Sequence, residues 1–144
     1  MNKTEYVNEL FSEGYNCAQS VFATFAEDYG LNKEMALKIA SCLGGGVRCG
    51  EICGAVTGAA LVIGLRHGYT SPNDFEAKEL CSNEINTFTQ HFQGNHGTLI
   101  CRDILGVDIS DDEGSKFATD HNLFHTVCVD MVKSAAEMLE DMGY

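Results

Sequence analysis

Apolar residues recur along this chain at helical spacing, and each stripe closes on a glycine. That rhythm predicts helices. Asn2, with Glu5 three residues on, caps a first helix whose stripe is Tyr6, Val7, Leu10 and Phe11, and Gly14 stops it. Asn16 caps a second, with Ala18, Val21, Phe22, Phe25 and Tyr29 on one face and Gly30 as the stop. Asn32 caps a third, which shares Met35, Ile39 and Cys42 on one face and runs out into Gly44-Gly45-Gly46. A fourth helix is predicted from near Glu51 to about Arg66. Ser71-Pro72 opens a fifth, in which Cys81, Ile85, Phe88 and Phe92 share a face. Thr98 caps a short sixth, LICRDIL, closed by Gly106.

A last helix is expected from about His121 to Asp141, with Phe124, Val127, Cys128, Met131, Ala135 and Met138 facing inward. Between it and the sixth, VDISDDEGSK reads as a solvated acidic loop. As a calcium loop counted from Asp108 it has Gly114 one place late and no closing Glu. No strand-like alternation, internal repeat or linker interrupts the series. The expected architecture is all-α: one domain over residues 1–144, a bundle of six or seven helices.

Composition narrows the function classes. A chain of 144 residues with 44% hydrophobic positions has enough apolar material for one ordinary core. A net charge of -12 argues against nucleic acid, whose phosphates need Lys and Arg. The longest nearly apolar run, Ile52 to Leu65, is shorter than the roughly 20 residues that cross a bilayer, so it reads as a core helix without membrane insertion. MNKTEYVNELF carries no secretory signature, and a cytoplasmic protein is expected. The apolar faces leave a homodimer open.

Seven cysteines change the picture: Cys17, Cys42, Cys49, Cys53, Cys81, Cys101 and Cys128. An odd number without an export signal does not match a secreted disulfide framework. In a reducing compartment it points to redox chemistry or a metal, with packing as the plain alternative. Cys17 follows the Asn16 cap, Cys53 lies in the first turn after the glycine-rich loop, and Cys101 sits three residues after Thr98. Free N–H groups and the helix dipole at such ends favour a thiolate. Arg48 beside Cys49 and Arg102 beside Cys101 add positive charge.

Gly54 and Gly58 lie on one face of the fourth helix, widened by Ala55 and Ala59. A glycine inside a helix costs about 0.5–1 kcal/mol relative to alanine, so two of them need a reason. Either another helix passes closely, or the bare backbone admits further cysteines or a cofactor beside Cys53. Gly54 and Gly58 are therefore cofactor-binding candidates.

Cys17 in YNCAQS, the CGAxxG run Cys53-Gly54-Ala55-Val56-Thr57-Gly58, Cys101 in ICRDILG and Cys128 in TVCVDMV follow one another in an order that resembles the C_GCAxxG_C_C family. The resemblance spans the chain from Asn16 to the last helix. It implies that Cys17, Cys53, Cys101 and Cys128 are the functional set, that the activity is redox with no reaction assigned, and that a transporter is a candidate associate, because the family's genes often lie near transporter genes. Cys42, Cys49 and Cys81 fall outside the pattern. Cys42 and Cys81 read as packing, and Cys49 stays open because it precedes Cys53 by one helical turn.

Three readings follow. In the first, the four cysteines form a spatially clustered thiol–disulfide or electron-transfer centre of an oxidoreductase with an unknown redox partner. Cys53 is then the reactive thiol and Cys17, Cys101 or Cys128 the resolver. In the second, the same four ligate zinc or an iron–sulfur cluster, although their separations of 36, 48 and 27 residues are unlike a zinc ribbon. In the third, the protein is a non-catalytic accessory module of a transporter. His121, His125 and Cys128, spaced four and three apart, form a lesser metal candidate on one helix face. No dinucleotide or phosphate-loop motif occurs, and no Cys-His spacing singles out a protease.

Overall fold

Three asparagines start the first three helices. The computed structural model of the protein describes residues 1–144. In α1 (Lys3–Ser12), α2 (Cys17–Ala26) and α3 (Lys33–Ile39), the cap side chain accepts the N–H of Glu5, Gln19 and Met35 respectively, each at 2.8 Å. Glu5 and Gln19 reach back to the cap N–H, completing capping boxes on α1 and α2. Five further helices follow: α4 (Gly54–His67), α5 (Phe75–His96), α6 (Cys101–Leu105), α7 (Asp112–Asp120) and α8 (Val127–Asp141).

Helix α4 runs through the middle, with Ala55, Val56, Ala59, Val62 and Ile63 buried. It packs on α2, α5 and α8, while α1 lies across α2 and α8. The α2–α4 contact explains the two glycines of α4. A Cβ on Gly58 would lie 2.9 Å from the Ala18 oxygen and 3.1 Å from the Ala18 Cα, and one on Gly54 would lie 3.1 Å from the Cys17 Cβ. Close approach of backbones is thus the reason for both, and Gly54 has the added effect of setting Cys17 against the start of α4. The shared core is filled by Val7, Leu10, Phe25, Phe88, Phe92, Val132 and Leu139, all fully buried. No helix is long and apolar enough to cross a membrane.

The all-α expectation holds, but the helix count of six or seven is too low: there are eight α-helices. The acidic stretch read as a loop contains α7. Asp111 caps it by accepting the Gly114 N–H at 2.6 Å, and Asp112 and Glu113 occupy its first turn, where the helix dipole favours negative charge. The expected last helix is correspondingly shorter. Asn122 takes a left-handed conformation (φ 57°), a single tight turn covers Leu123–His125, and α8 begins only at Val127.

Helix α3 also differs from expectation. It ends at Ile39, and Met35, Ile39 and Cys42 are exposed, because the α2 contact buries the opposite residues Ala36 and Ala40. The fifth helix starts slightly later than Ser71-Pro72, with Asp74 as its cap.

Candidate functional site

A cavity of about 410 Å³ opens between the starts of α2, α4, α6 and α8. Cys17, Cys53, Cys101 and Cys128 all line it. Its remaining wall is mostly apolar, with Phe11, Phe124, Met131 and Ile109 prominent, and Asn16, Ser41 and Arg48 supply the polar part.

Each cysteine reaches this cavity from a helix N-terminus. Cys17 is the first residue of α2, Cys53 the residue before α4, Cys101 the first of α6 and Cys128 the second of α8. The last of these corrects the sequence reading, which set Cys128 in mid-helix. The late start of α8 moves it to a first turn.

Two short chain segments bring Cys53 and Cys101 together. The Cys53 N–H donates to the Leu99 carbonyl at 2.8 Å and the Cys101 N–H to the Glu51 carbonyl at 2.6 Å, around an antiparallel bridge between Ile52 and Ile100. Side chains alternate across such a pair, so Cys53 and Cys101 leave it on the same side. Thr98 steadies the turn before α6 by accepting the Ile100 N–H at 3.0 Å.

The tight four-thiol cluster expected from the sequence is not formed. All seven cysteines are free thiols, and no three Cys, His, Asp or Glu side chains converge on a point where they would hold a single metal ion. The four helix ends point into the cavity from different sides, which leaves the thiols around its wall. Cys17 and Cys128 are the two thiols that act most strongly on each other.

The thiolate expected at the helix ends of Cys17, Cys53 and Cys101 is overturned at all three. Burial pushes the Cys53 thiol up to about 11, although the N–H groups of Ala55 and Val56 at the start of α4 pull the other way. Burial likewise pushes Cys101 up to about 12, helped by the negative charge that Cys53, Cys128 and Asp108 would carry. Arg102 does not offset this, because it is engaged with the Glu51 carboxylate at 2.7 Å and the Gly50 carbonyl at 3.2 Å. Cys17 is held well above its ordinary value, first by its contact with Cys128 and then by burial. The same contact holds Cys128 below its ordinary value, against the opposing effect of burial. At Cys53 and Cys101 desolvation outweighs helix-end polarity.

The other candidates fall away from the cavity. Cys42 is exposed, which corrects its reading as a packing residue, and Cys49 is exposed on the turn before α4. Cys81 is half-buried and donates to the His67 carbonyl at 3.4 Å. Gly54 lines the cavity, whereas Gly58 does not and serves the α2 contact. The break at Asn122 separates His121 from Cys128. His121 ends α7, stacked on Phe117 with ring centroids 3.9 Å apart, so the strip expected on one helix face does not exist. Sequence reasoning missed Phe11, Phe124 and Met131 as walls of the site, since helical spacing marks them only as core.

The family model for C_GCAxxG_C_C, "Putative redox-active protein", matches residues 15–142. The chain belongs to this family. The matched stretch includes all four cavity cysteines and the whole wall except Phe11. No curated protein and no solved structure shows a significant match.

Proposed function

We propose that the protein is a thiol–disulfide oxidoreductase whose working pair is Cys128 and Cys17. The observation that carries this reading is that Cys17 and Cys128 line one cavity from the first turns of α2 and α8 and act most strongly on each other's thiol, with Cys128 moved down and Cys17 up. The thiolate is the attacking species in disulfide exchange, so Cys128 is the nucleophile.

The step balances as follows. The Cys128 thiolate attacks one sulfur of a small disulfide, forming a mixed disulfide, and the departing thiolate takes up a proton. The Cys17 sulfur then attacks the Cys128 sulfur and its proton goes to the second departing sulfur. Cys17 and Cys128 become a disulfide, and the substrate disulfide becomes two thiols. Cys53 and Cys101 stay protonated at neutral pH in this scheme and form the rest of the thiol-lined wall. An electron-donating partner in a reducing cytoplasm would return the pair to the dithiol.

The test is to treat the reduced full-length protein with a small disulfide and map the product by peptide mass spectrometry. A Cys17–Cys128 crosslink is expected, and it should vanish in Cys17→Ala and Cys128→Ala. Oxidation that joins only other cysteines, or none, would overturn the reading.

One observation favours a second reading. All four family-matching thiols face one cavity, and pair chemistry uses only two. Four cysteine thiolates are the donor set of an iron–sulfur cluster, and helix N-termini suit its negative charge. Cys17, Cys53, Cys101 and Cys128 would have to draw in from the cavity wall to hold it, and it would supply one-electron chemistry. Iron and acid-labile sulfide in stoichiometric amounts after anaerobic purification would support this reading, and their absence would remove it.

A further inference from the structure

Arg48 is the one charged side chain on the cavity wall. In a chain with 21 Asp and Glu, no carboxylate joins it there. The other two arginines are engaged. Arg66 donates to the Gly143 carbonyl at 2.8 Å and lies over the Tyr144 ring, and Arg102 pairs with Glu51. Arg48 has neither a carboxylate nor an aromatic partner.

The backbone that presents Arg48 is unusual. Gly45, Gly46, Val47 and Arg48 are left-handed in succession, with φ of 65°, 62°, 58° and 58°. A β-branched residue takes that conformation only under constraint, and such strain collects at functional sites. The turn folds the Arg48 stem back across Gly45. A Cβ on Gly45 would lie 3.7 Å from the Arg48 Cδ and 3.0 Å from the Ile109 Cδ1, both on the cavity wall. Arg48 is not the counter-ion of a cavity thiol either, since what moves the four thiols is burial, one another, backbone N–H groups and Asp108.

We infer that Arg48 is a substrate-binding residue, and that the substrate is a small disulfide with an apolar body and an anionic group such as a carboxylate. This rests on the thiol–disulfide reading of the same cavity. The planar guanidinium matches a carboxylate through two parallel N–H donors. Phe11, Phe124 and Met131 would take the apolar body, in a space of the size small ligands use. The whole protein carries a net charge of -12, which opposes an anionic substrate, and Arg48 is the charge on the cavity wall that offsets it.

The experiment uses the full chain with Cys42, Cys49 and Cys81 replaced by Ser, so that only the cavity thiols report. Two chromogenic disulfides are compared by stopped-flow absorbance: 5,5′-dithiobis(2-nitrobenzoate), which carries carboxylates, and neutral 4,4′-dithiodipyridine. Arg48→Gln is expected to lower the ratio of anionic to neutral rates about tenfold, the size of one lost charge-assisted contact. Arg48→Lys should retain much of the ratio, and 1 M salt should reduce it in the parent but not in Arg48→Gln. The yield of the Cys17–Cys128 crosslink with each probe, measured by mass spectrometry in the otherwise wild-type chain, gives the same ratio without the serine background. If both probes slow equally, or neither slows, the inference about Arg48 is overturned and the redox pair stands. If the parent reacts with neither probe, the redox reading itself is overturned, and the Arg48 inference with it.

Discussion

Cys17, the first residue of α2, and Cys128, in the first turn of α8, line one cavity and act on each other's thiol. The contact splits two chemically identical groups. Cys128 gives up its proton more readily and Cys17 keeps its own. Helix-end polarity is common to all four cavity cysteines, so it cannot be what distinguishes Cys128. The Cys17 thiol is.

Alkylation should follow that order. Among the four cavity cysteines, Cys128 is expected to react with iodoacetamide at the lowest pH, with Cys53 and Cys101 protected until the solution is strongly alkaline. Cys17→Ala removes the group that holds Cys128 low, so the Cys128 profile should move to higher pH. Peptide mass spectrometry across pH 6–10 reads both effects. Cys53 labelling ahead of Cys128 would contradict the assignment.

Stability should fall in alkali, for a reason that can be signed. Unfolded thiols titrate near 8.5, roughly, while the native Cys53 and Cys101 hold their protons to about 11 and about 12. Between those limits the unfolded chain binds fewer protons than the native one, so unfolding becomes easier as pH rises. Each group contributes a slope of at most about 1.4 kcal/mol per pH unit. Cys128, held low, acts in the opposite sense, adding stability as pH rises from its native value toward about 8.5. Urea midpoints should therefore hold or rise slightly to near pH 8.5 and then decline. The decline should be shallower in Cys101→Ala, and an identical slope in that variant would contradict the burial account.

The two kinds of glycine in α4 should respond in opposite directions to alanine. At Gly58 the new methyl would meet the Ala18 oxygen at 2.9 Å and the Val21 Cβ at 3.1 Å, and neither backbone can yield without parting α2 from α4. Overpacking of this kind costs about 1–3 kcal/mol. Gly64, in the same helix, has nothing within 4 Å of its added Cβ. Gly64→Ala should instead stabilise by about 0.5–1 kcal/mol, from helix propensity and the reduced freedom of the unfolded chain. Urea denaturation of the two variants separates them by sign.

Sequence alone was a good guide where a signal is local. The asparagine caps at Asn2, Asn16 and Asn32 are each satisfied within three residues, so spacing in the chain reports them directly. The stripe of α8 from Cys128 through Met138 is buried as its period implies. Signals that depend on tertiary choice were not legible. Nothing in NKEMALKIASC says that α2 will cover Ala36 and Ala40 rather than Met35 and Ile39. The break at Asn122 rests on a conformation that asparagine tolerates but does not announce, and it decides whether Cys128 is mid-helix or first-turn. The order of the four cysteines was readable as a pattern. Their thiol chemistry was not, because burial and the Cys17–Cys128 contact exist only once α2 and α8 are packed.

The left-handed turn before α4 gives a last prediction. Val47 has φ 58° and is about half exposed, so replacing it removes little packing. An ordinary residue pays about 1–2 kcal/mol in that region, and glycine returns about 0.5–1 kcal/mol of this through its freer unfolded chain. Val47→Gly should therefore be neutral or stabilising by up to about 1 kcal/mol, the reverse of a valine-to-glycine change in ordinary backbone. Asn122, also left-handed at φ 57°, is the control, since asparagine already tolerates the conformation and Asn122→Gly should change stability less. Because the strained turn presents Arg48 to the cavity, Val47→Gly should also lower the preference for the anionic disulfide while the protein melts no earlier. A clear loss of stability at Val47→Gly would mean that the turn is not held against its own conformational preference, and the strain would then have no part in orienting Arg48.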